Sequence, residues 1–243
     1  MKKKKTDVWA GGEPLLTAES IPFEYVEAFK ELRTNLNFTA SKNRMNGKSC
    51  KILITSSIPN EGKSTIAINL AIALAQGGNK VLLIDADMRN PVLRKYLNVE
   101  PDKKTGLSSL LNGDTKISEC LIRTEYGMDV IADGPIPPNP AELIRSDAMN
   151  SLLKGTEGYY DYIIFDTPPV GVITDAAALS TLCDGVLYVI RHKFASKAQV
   201  RSSIKKLQMV DAKILGTVLT QYELPASSGN YGYYHKYRKY GQK

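Results

Sequence analysis

Apolar residues along this chain fall into two alternating patterns, short unbroken runs and longer stretches at helical spacing. Val81-Leu82-Leu83-Ile84 is a continuous apolar run, the mark of a parallel strand buried on both faces. Comparable runs at Lys51–Thr55, Asp129–Ala132, Tyr162–Phe165, Gly185–Ile190 and Ile214–Leu219 predict further strands. A helix is predicted from about Lys63 through Ile66, Leu70, Ala73 and Leu74 to a stop at Gly77-Gly78. Other helical segments are expected near 91–97, 107–111, 140–154, 174–182 and 195–209. Strands alternating with helices predict an α/β fold, a mostly parallel sheet covered by helices on both faces. In such sheets ligands bind at the carboxyl ends of the strands. The dinucleotide fingerprint G-x-G-x-x-G is absent, which disfavours a dinucleotide fold.

The two ends differ from this middle. Residues 1 to about 20 hold a Lys run, Gly11-Gly12 and Pro14, with little periodicity, and are expected to be mobile. From Glu24 to Phe38, Tyr25, Phe29, Leu32, Leu36 and Phe38 recur at helical spacing, and Ser41 to Lys48 reads as a polar connector. After Glu223 no acidic residue remains, and five tyrosines crowd into ten positions: Tyr231, Tyr233, Tyr234, Tyr237 and Tyr240. Too few aliphatic residues are left there for a core, so a flexible tail is expected. Three parts follow: an N-terminal segment with a helix over 1–46, a core domain over 47–222 and the tyrosine tail over 223–243.

Composition changes this picture little. A 243-residue chain with 43% hydrophobic and 23% charged residues is ordinary for a globular protein. No run of 18 apolar residues is present, and the basic start Lys2–Lys5 lacks the apolar stretch of a signal peptide, so a cytosolic location is expected. Cys50, Cys120 and Cys183 have no metal-ligand spacing and read as reduced structural thiols. The net charge of +7, concentrated at the ends, points to acidic partners, either a membrane surface or a phosphorylated molecule.

Three stretches carry chemistry. Ser57-Ile58-Pro59-Asn60-Glu61-Gly62-Lys63-Ser64-Thr65 lies between a strand and a helix. It matches the phosphate-binding loop G-x-x-x-x-G-K-[ST] except for Ser57 in place of the first Gly. Successive backbone N–H groups and a helix N-terminus form an anion site in such loops. Ser57, Asn60, Glu61, Gly62, Lys63, Ser64 and Thr65 are therefore the candidate nucleotide-binding set. Lys63 would reach the β- and γ-phosphates of ATP, and the Ser64 hydroxyl would ligate Mg²⁺. The second stretch, Leu82–Arg89, places Asp85 and Asp87 just past a strand end. One could ligate Mg²⁺ while the other accepts a proton from an attacking hydroxyl; the bland alternative is two loop acids paired with Arg89 or Lys95. In the third, Tyr162–Pro169, an apolar strand ends in Asp166, which fits a carboxylate of the Mg²⁺ shell. Asp175 beside Thr174 reads as structural, at a helix start.

Three acids and a lysine around Mg²⁺-ATP favour phosphoryl transfer over simple binding. Water as acceptor would make an ATPase, and a hydroxyl would make a kinase. The tail offers accessible hydroxyls, with Lys236, Arg238 and Lys239 nearby to offset added phosphate charge. Stacking on single-stranded nucleic acid, or no defined role, are the competing readings of that composition.

Together these stretches resemble the bacterial tyrosine kinases of capsule and exopolysaccharide synthesis. Gly134–Leu143 (GPIPPNPAEL) and Glu27–Leu36 (EAFKELRTNL) are also similar to that family, and the resemblance runs from about Tyr25 to the last residue. It implies a P-loop NTPase fold and an ATP-dependent protein-tyrosine kinase whose cofactors are ATP and Mg²⁺. By the family pattern Lys63 handles phosphate, Asp85 is the base for the tyrosine hydroxyl, and Ser64, Asp87 and Asp166 hold Mg²⁺ directly or through water. The tail of one subunit would be phosphorylated in its neighbour's site within an octamer-like ring. The ring motif E-x-x-R-x-x-R reads here as Glu27, Lys30 and Arg33, and Lys does not reproduce the bidentate fork of Arg. The resemblance further implies a membrane adaptor of the polysaccharide co-polymerase type that recruits the kinase to the inner face of the plasma membrane. A cognate tyrosine phosphatase and other protein substrates are implied too, and no nucleic acid. Thr220 departs from the Asn that similar proteins often carry after the last strand. The rival is a partitioning or positioning ATPase switch; its signature Lys beside the first Gly is replaced here by Ile58.

Overall fold

The computed structural model describes residues 9–10, 13–17, 21–45, 47–99 and 104–222. The tail tyrosines from Tyr231 to Tyr240 and the Lys2–Lys5 run lie outside them. In chain order the elements are β1 (Trp9–Ala10), β2 (Glu13–Pro14), α1 (Phe23–Met45), β3 (Cys50–Ser56), α2 (Lys63–Gln76), β4 (Val81–Asp85), α3 (Leu93–Tyr96), α4 (Leu107–Asn112) and α5 (Ile117–Cys120). There follow β5 (Leu121–Arg123), β6 (Asp129–Ile131), α6 (Pro140–Ile144), α7 (Asp147–Thr156), β7 (Tyr162–Asp166), α8 (Asp175–Ser180), β8 (Gly185–Arg191), α9 (Lys197–Gln208) and β9 (Ile214–Thr220).

Seven strands form one sheet in the order β5-β6-β4-β7-β3-β8-β9. All neighbours are parallel except β5 and β6. Every residue of β4 and β7 is buried, as their unbroken apolar runs require. Side chains alternate across β3: Ile52 and Ile54 enter a core shared with α1 and α2, while Leu53 enters the opposite core with α4, α7 and α8. Two-sided burial of this kind is what selects hydrophobic residues at successive strand positions.

The elements expected from the pattern are present, and the short elements β1, β2 and α5 were not expected. β5 was not expected; three residues including an exposed Arg123 carry too short a pattern to register as a strand. The single helix expected over 140–154 is two, α6 and α7, because Ser146 is extended (φ −73°, ψ 159°) and restarts the chain as an N-cap. The helix expected to end near Phe38 continues to Met45, where a polar connector was expected. Apolar periodicity fades after Phe38, but no Gly or Pro interrupts the chain before Gly47, which takes φ +69°. The N-terminal stretch expected to be mobile is partly docked. Leu15 has no exposed surface, and the Leu16 N–H donates to Asn69 Oδ1 at 2.8 Å.

The helix α1 packs on α2 through Phe29 and Leu36, both buried in the same core. Arg33 Nη1 donates to the Ala73 carbonyl at 2.8 Å, near the end of α2, where a cation and the unsatisfied carbonyls favour each other. Glu27 and Lys30 pair with each other at 2.7 Å on the exposed side.

Candidate functional site

The carboxyl ends of β3, β4 and β7 deliver the three chemical stretches to one edge of the sheet. Register fixes their meeting: Asp85 of β4 lies opposite Asp166 of β7, and Ile54 of β3 opposite Asp166. Adjacent parallel strands stand about 4.8 Å apart, so the two carboxyl groups start from neighbouring backbone positions.

The loop after β3 is held from below. Glu61 is fully buried, and its Oε2 accepts from Ser57 N at 2.8 Å and Ile58 N at 2.9 Å, while Oε1 accepts from Arg191 N at 3.2 Å. Its side chain thus braces the loop, and toward a phosphate it has only its backbone to offer. Gly62 caps α2 at φ +92°, a left-handed conformation that a Cβ strains. A Cβ there would also come 3.3 Å from Thr220 Cγ2. The Thr220 hydroxyl donates to the Glu61 carbonyl at 2.8 Å, so the residue that departs from the family pattern secures this loop. Asn60 is left-handed too, at φ +63°. Ser57 stands where a Gly was expected, and its hydroxyl shares a 2.7 Å hydrogen bond with the buried Tyr188 hydroxyl. Among the described residues no side chain caps α2, and its first residues Lys63, Ser64 and Thr65 line a cleft of about 550 Å³.

Asp166 is the least satisfied group in the site. It is 1% exposed, and neither carboxylate oxygen has a hydrogen-bond partner among the described residues. Burial pushes its pKa up to about 7, while Lys63 and the nearby Ser64 hydroxyl favour the charged form. Asp85 has no exposed surface; its oxygens accept from Asp87 N at 3.2 Å and Leu93 N at 3.3 Å. Burial first, then the like charges of Asp166 and Asp133, raise its pKa well above the usual carboxylate range. Asp87 lines the cleft and accepts from Asn90 N at 3.0 Å; burial raises its pKa, against the pull of that hydrogen bond and of Lys63. Arg89 pairs with Asp175 at 2.9 Å, and among the described residues neither Asp85 nor Asp87 forms an ion pair with Arg89 or Lys95, the pairing of the bland alternative. Asp175 is buried at the start of α8, where the ion pair with Arg89 holds it.

A buried carboxylate with two unpartnered oxygens, beside Lys63 and a serine hydroxyl, fits a divalent cation. No group of three or more His, Cys, Asp or Glu side chains converges among the described residues. Mg²⁺ needs no such cage, since it takes one or two carboxylates and fills its shell with water and phosphate.

Sequence reasoning missed the far wall of the cleft. Arg191, Phe194 and Gln221 line it, Arg191 lying 4.4 Å from the Phe194 ring centre and donating to the Asn60 carbonyl at 3.3 Å. The available signal was position alone, since Arg191 ends a strand beside the loop. Gly171 was missed as well. A Cβ there would fall 2.0 Å from the Ser57 carbonyl oxygen. Gly171→Ala should therefore displace the loop and cost about 1–3 kcal/mol by overpacking. Urea unfolding and nucleotide affinity measure the two effects, and an unaltered affinity would show that the loop tolerates the shift.

Comparison with known proteins places this geometry. A family model described as an AAA domain matches residues 52–218. Tyrosine-protein kinase YwqD of Bacillus subtilis (strain 168) is 38% identical over 209 residues, covering 86% of this chain and 85% of that one. The chain belongs to the bacterial tyrosine-protein kinases. Among solved structures, the chimerical protein CapA2B2 is 39% identical with a TM-score of 0.75, covering 82% of this chain and 85% of that one. The kinase domain of the Escherichia coli tyrosine kinase ETK is 32% identical with a TM-score of 0.73, covering 84% of this chain and 80% of that one. Within this family member, Lys63, Ser64 and Asp87 come together at the cleft, and Asp166 and Asp85 lie beneath it. Glu27, Lys30 and Arg33 lie in the first half of α1 and do not line the cleft, with Arg33 engaged by α2. No helix among the described residues is long and apolar enough to cross a membrane.

Proposed function

We propose that this chain is an ATP-dependent protein-tyrosine kinase that phosphorylates its own C-terminal tyrosines, Tyr231, Tyr233, Tyr234, Tyr237 and Tyr240, in trans within a ring of identical subunits. Through that modification it regulates capsular or exopolysaccharide synthesis and export. The observation that carries the reading is the meeting of Lys63, Asp87 and the unpartnered Asp166 at one phosphate-binding loop, in a chain whose far end bears five tyrosines. Family membership supports the choice of tyrosine over water as acceptor.

In this reading Lys63 and the loop N–H groups from Asn60 through Thr65 hold the phosphates of ATP, while Ser57, whose own N–H is taken by Glu61, shapes the start of the loop. Ser64, Asp87 and Asp166 hold Mg²⁺, directly or through water. Mg²⁺ there supplies charge neutralisation on the transferred phosphoryl group. Asp85 accepts the tyrosine proton: burial makes it a stronger base than an exposed carboxylate. Asp85 has no exposed surface, so this role requires a change in the residues that cover it. Glu27, Lys30 and Arg33 contribute to the ring. A membrane adaptor of the polysaccharide co-polymerase type recruits the kinase to the inner face of the plasma membrane, a tyrosine phosphatase resets it, and other proteins serve as further substrates. The basic ends of the chain suit such a surface.

One experiment tests the core of this reading. Purified protein is incubated with ATP and Mg²⁺, with and without the cytosolic fragment of the adaptor, and modified residues are mapped by mass spectrometry. Phosphotyrosine within 231–240 is expected in the wild type and not in Asp85→Asn, and light scattering is expected to give a multiple of the 26.8 kDa chain mass. Release of free phosphate without any phosphotyrosine would instead favour the ATPase switch. Labelling retained in Asp85→Asn would move the base to Asp87.

A further inference from the structure

Beside the nucleotide cleft, at the edge of the sheet formed by β8, β9 and the start of α9, lies a separate depression of about 340 Å³. Arg191, His192, Lys193, Lys197, Arg201 and Leu219 line it, and no lining residue is acidic. Lys193, Lys197 and Arg201 are exposed, and none of them forms an ion pair with a carboxylate among the described residues. The acid that touches this wall, Glu61, is buried and occupied by backbone N–H groups of the loop and of Arg191. Four cations thus surround an open groove with no internal counter-charge. An anion would complete it.

Two observations say which anion. The first is where the described chain ends. Tyr222 packs its ring against His192 with centroids 5.0 Å apart, so residues 223–243 set out from the lip of this groove. Tyr231 is nine residues further on, within about 30 Å of extended chain. The second is the charge of that segment. From 224 to 243 it holds Lys236, Arg238, Lys239 and Lys243 and no acid, so unmodified it is repelled by the groove. Each phosphotyrosine adds about −1.5 to −2 charges and three strong acceptor oxygens, so three of them reverse the sign of the segment. A guanidinium group such as that of the exposed Arg201 matches phosphate in geometry as well as charge.

We infer that this basic groove docks the tyrosine-phosphorylated C-terminal tail of the same kind of chain, and discriminates against the unmodified tail by charge. Docking would hold the product outside the cleft, and Arg191, which belongs to both walls, would link the two sites. The inference rests on the kinase reading for the origin of the phosphotyrosines, but its test does not.

Full-length unphosphorylated protein is titrated into two fluorescein-labelled synthetic peptides of residues 226–243, one carrying phosphotyrosine at 231, 233 and 234 and one unmodified, and anisotropy is followed at low and physiological salt. The phosphopeptide should bind at least tenfold more tightly than the plain peptide. Lys197→Glu combined with Arg201→Glu should weaken phosphopeptide binding at least tenfold while leaving Mg²⁺-ATP affinity and the circular dichroism spectrum unchanged. Equal affinity for the two peptides, or for wild type and variant, would overturn the inference. So would binding to phosphatidylserine vesicles that the variant loses while the phosphopeptide fails to bind, which would assign the groove to a membrane surface. Because the peptides are synthetic, a chain that never labels its own tail would sink the kinase reading and still report on the groove.

Discussion

Lys63→Met should reduce transfer of phosphate to the tail at least about 100-fold, the scale on which removal of one preorganised charge contact acts in a transition state. Lys63 is 8% exposed and faces Asp87 and Asp166, whose charged forms it favours. Its loss removes the cation proposed to hold the β- and γ-phosphates and leaves the buried Asp166 and the half-buried Asp87 without their counter-charge. Those groups can respond by taking up protons, since burial has already raised the pKa of each. The fold should therefore survive where the activity does not. Phosphotyrosine labelling compared with circular dichroism and thermal unfolding separates the two, and undiminished labelling would remove Lys63 from the mechanism.

Asp166→Asn should have opposite effects on activity and on stability. Activity should fall about 100-fold or more with the loss of the carboxylate proposed to hold Mg²⁺. Stability of the ligand-free protein should rise, and the sign follows from linkage. The folded-state pKa of Asp166 is about 7, well above the range of an exposed carboxylate. The folded state therefore holds a proton that the unfolded state has released. In that situation stability falls as pH rises from about 4 to about 7, and the full penalty is felt above 7. A shift of this size corresponds to roughly 4 kcal/mol at most, and Asn is free of it. Urea unfolding without nucleotide or metal should show the variant clearly more stable than wild type at pH 8, with the gap closing toward pH 4. Added Mg²⁺-ATP should stabilise the wild type more than the variant. A gap independent of pH would mean that Asp166 is satisfied by something other than a cation.

Both predictions concern residues that were legible in the sequence, and the reason is local. A strand, a loop ending Gly-Lys-Ser and a helix need only a contiguous stretch to be recognised, because backbone N–H groups and one lysine make the phosphate site without help from elsewhere. Asp85 and Asp166 were equally plain, each closing an apolar run that only a strand buried on both faces accounts for. What was not legible depends on contacts between distant positions. Thr220 reaches Glu61 across 159 residues, Ser57 shares its hydrogen bond with Tyr188 across 131, and nothing in either neighbourhood marks the pairing. The break at Ser146 and the burial of Leu15 in the core shared by α1 and α2 are of the same kind, since tertiary packing overrode the local pattern.

The sequence alone therefore determined the class of fold, the phosphate-binding loop, the three carboxylates and the tyrosine-bearing end, because each is written in adjacent residues with a fixed period or spacing. Only the tertiary structure decided how those carboxylates differ. Strand register sets Asp85 beside Asp166, and burial leaves the latter without partners while Asp87 faces the cleft. It also decided that Glu61 turns inward to brace the loop and that the chain leaves the domain beside an unpaired basic groove. Desolvation and the choice of partner depend on what packs around a side chain, and that is set by the whole fold rather than by its neighbours in the chain.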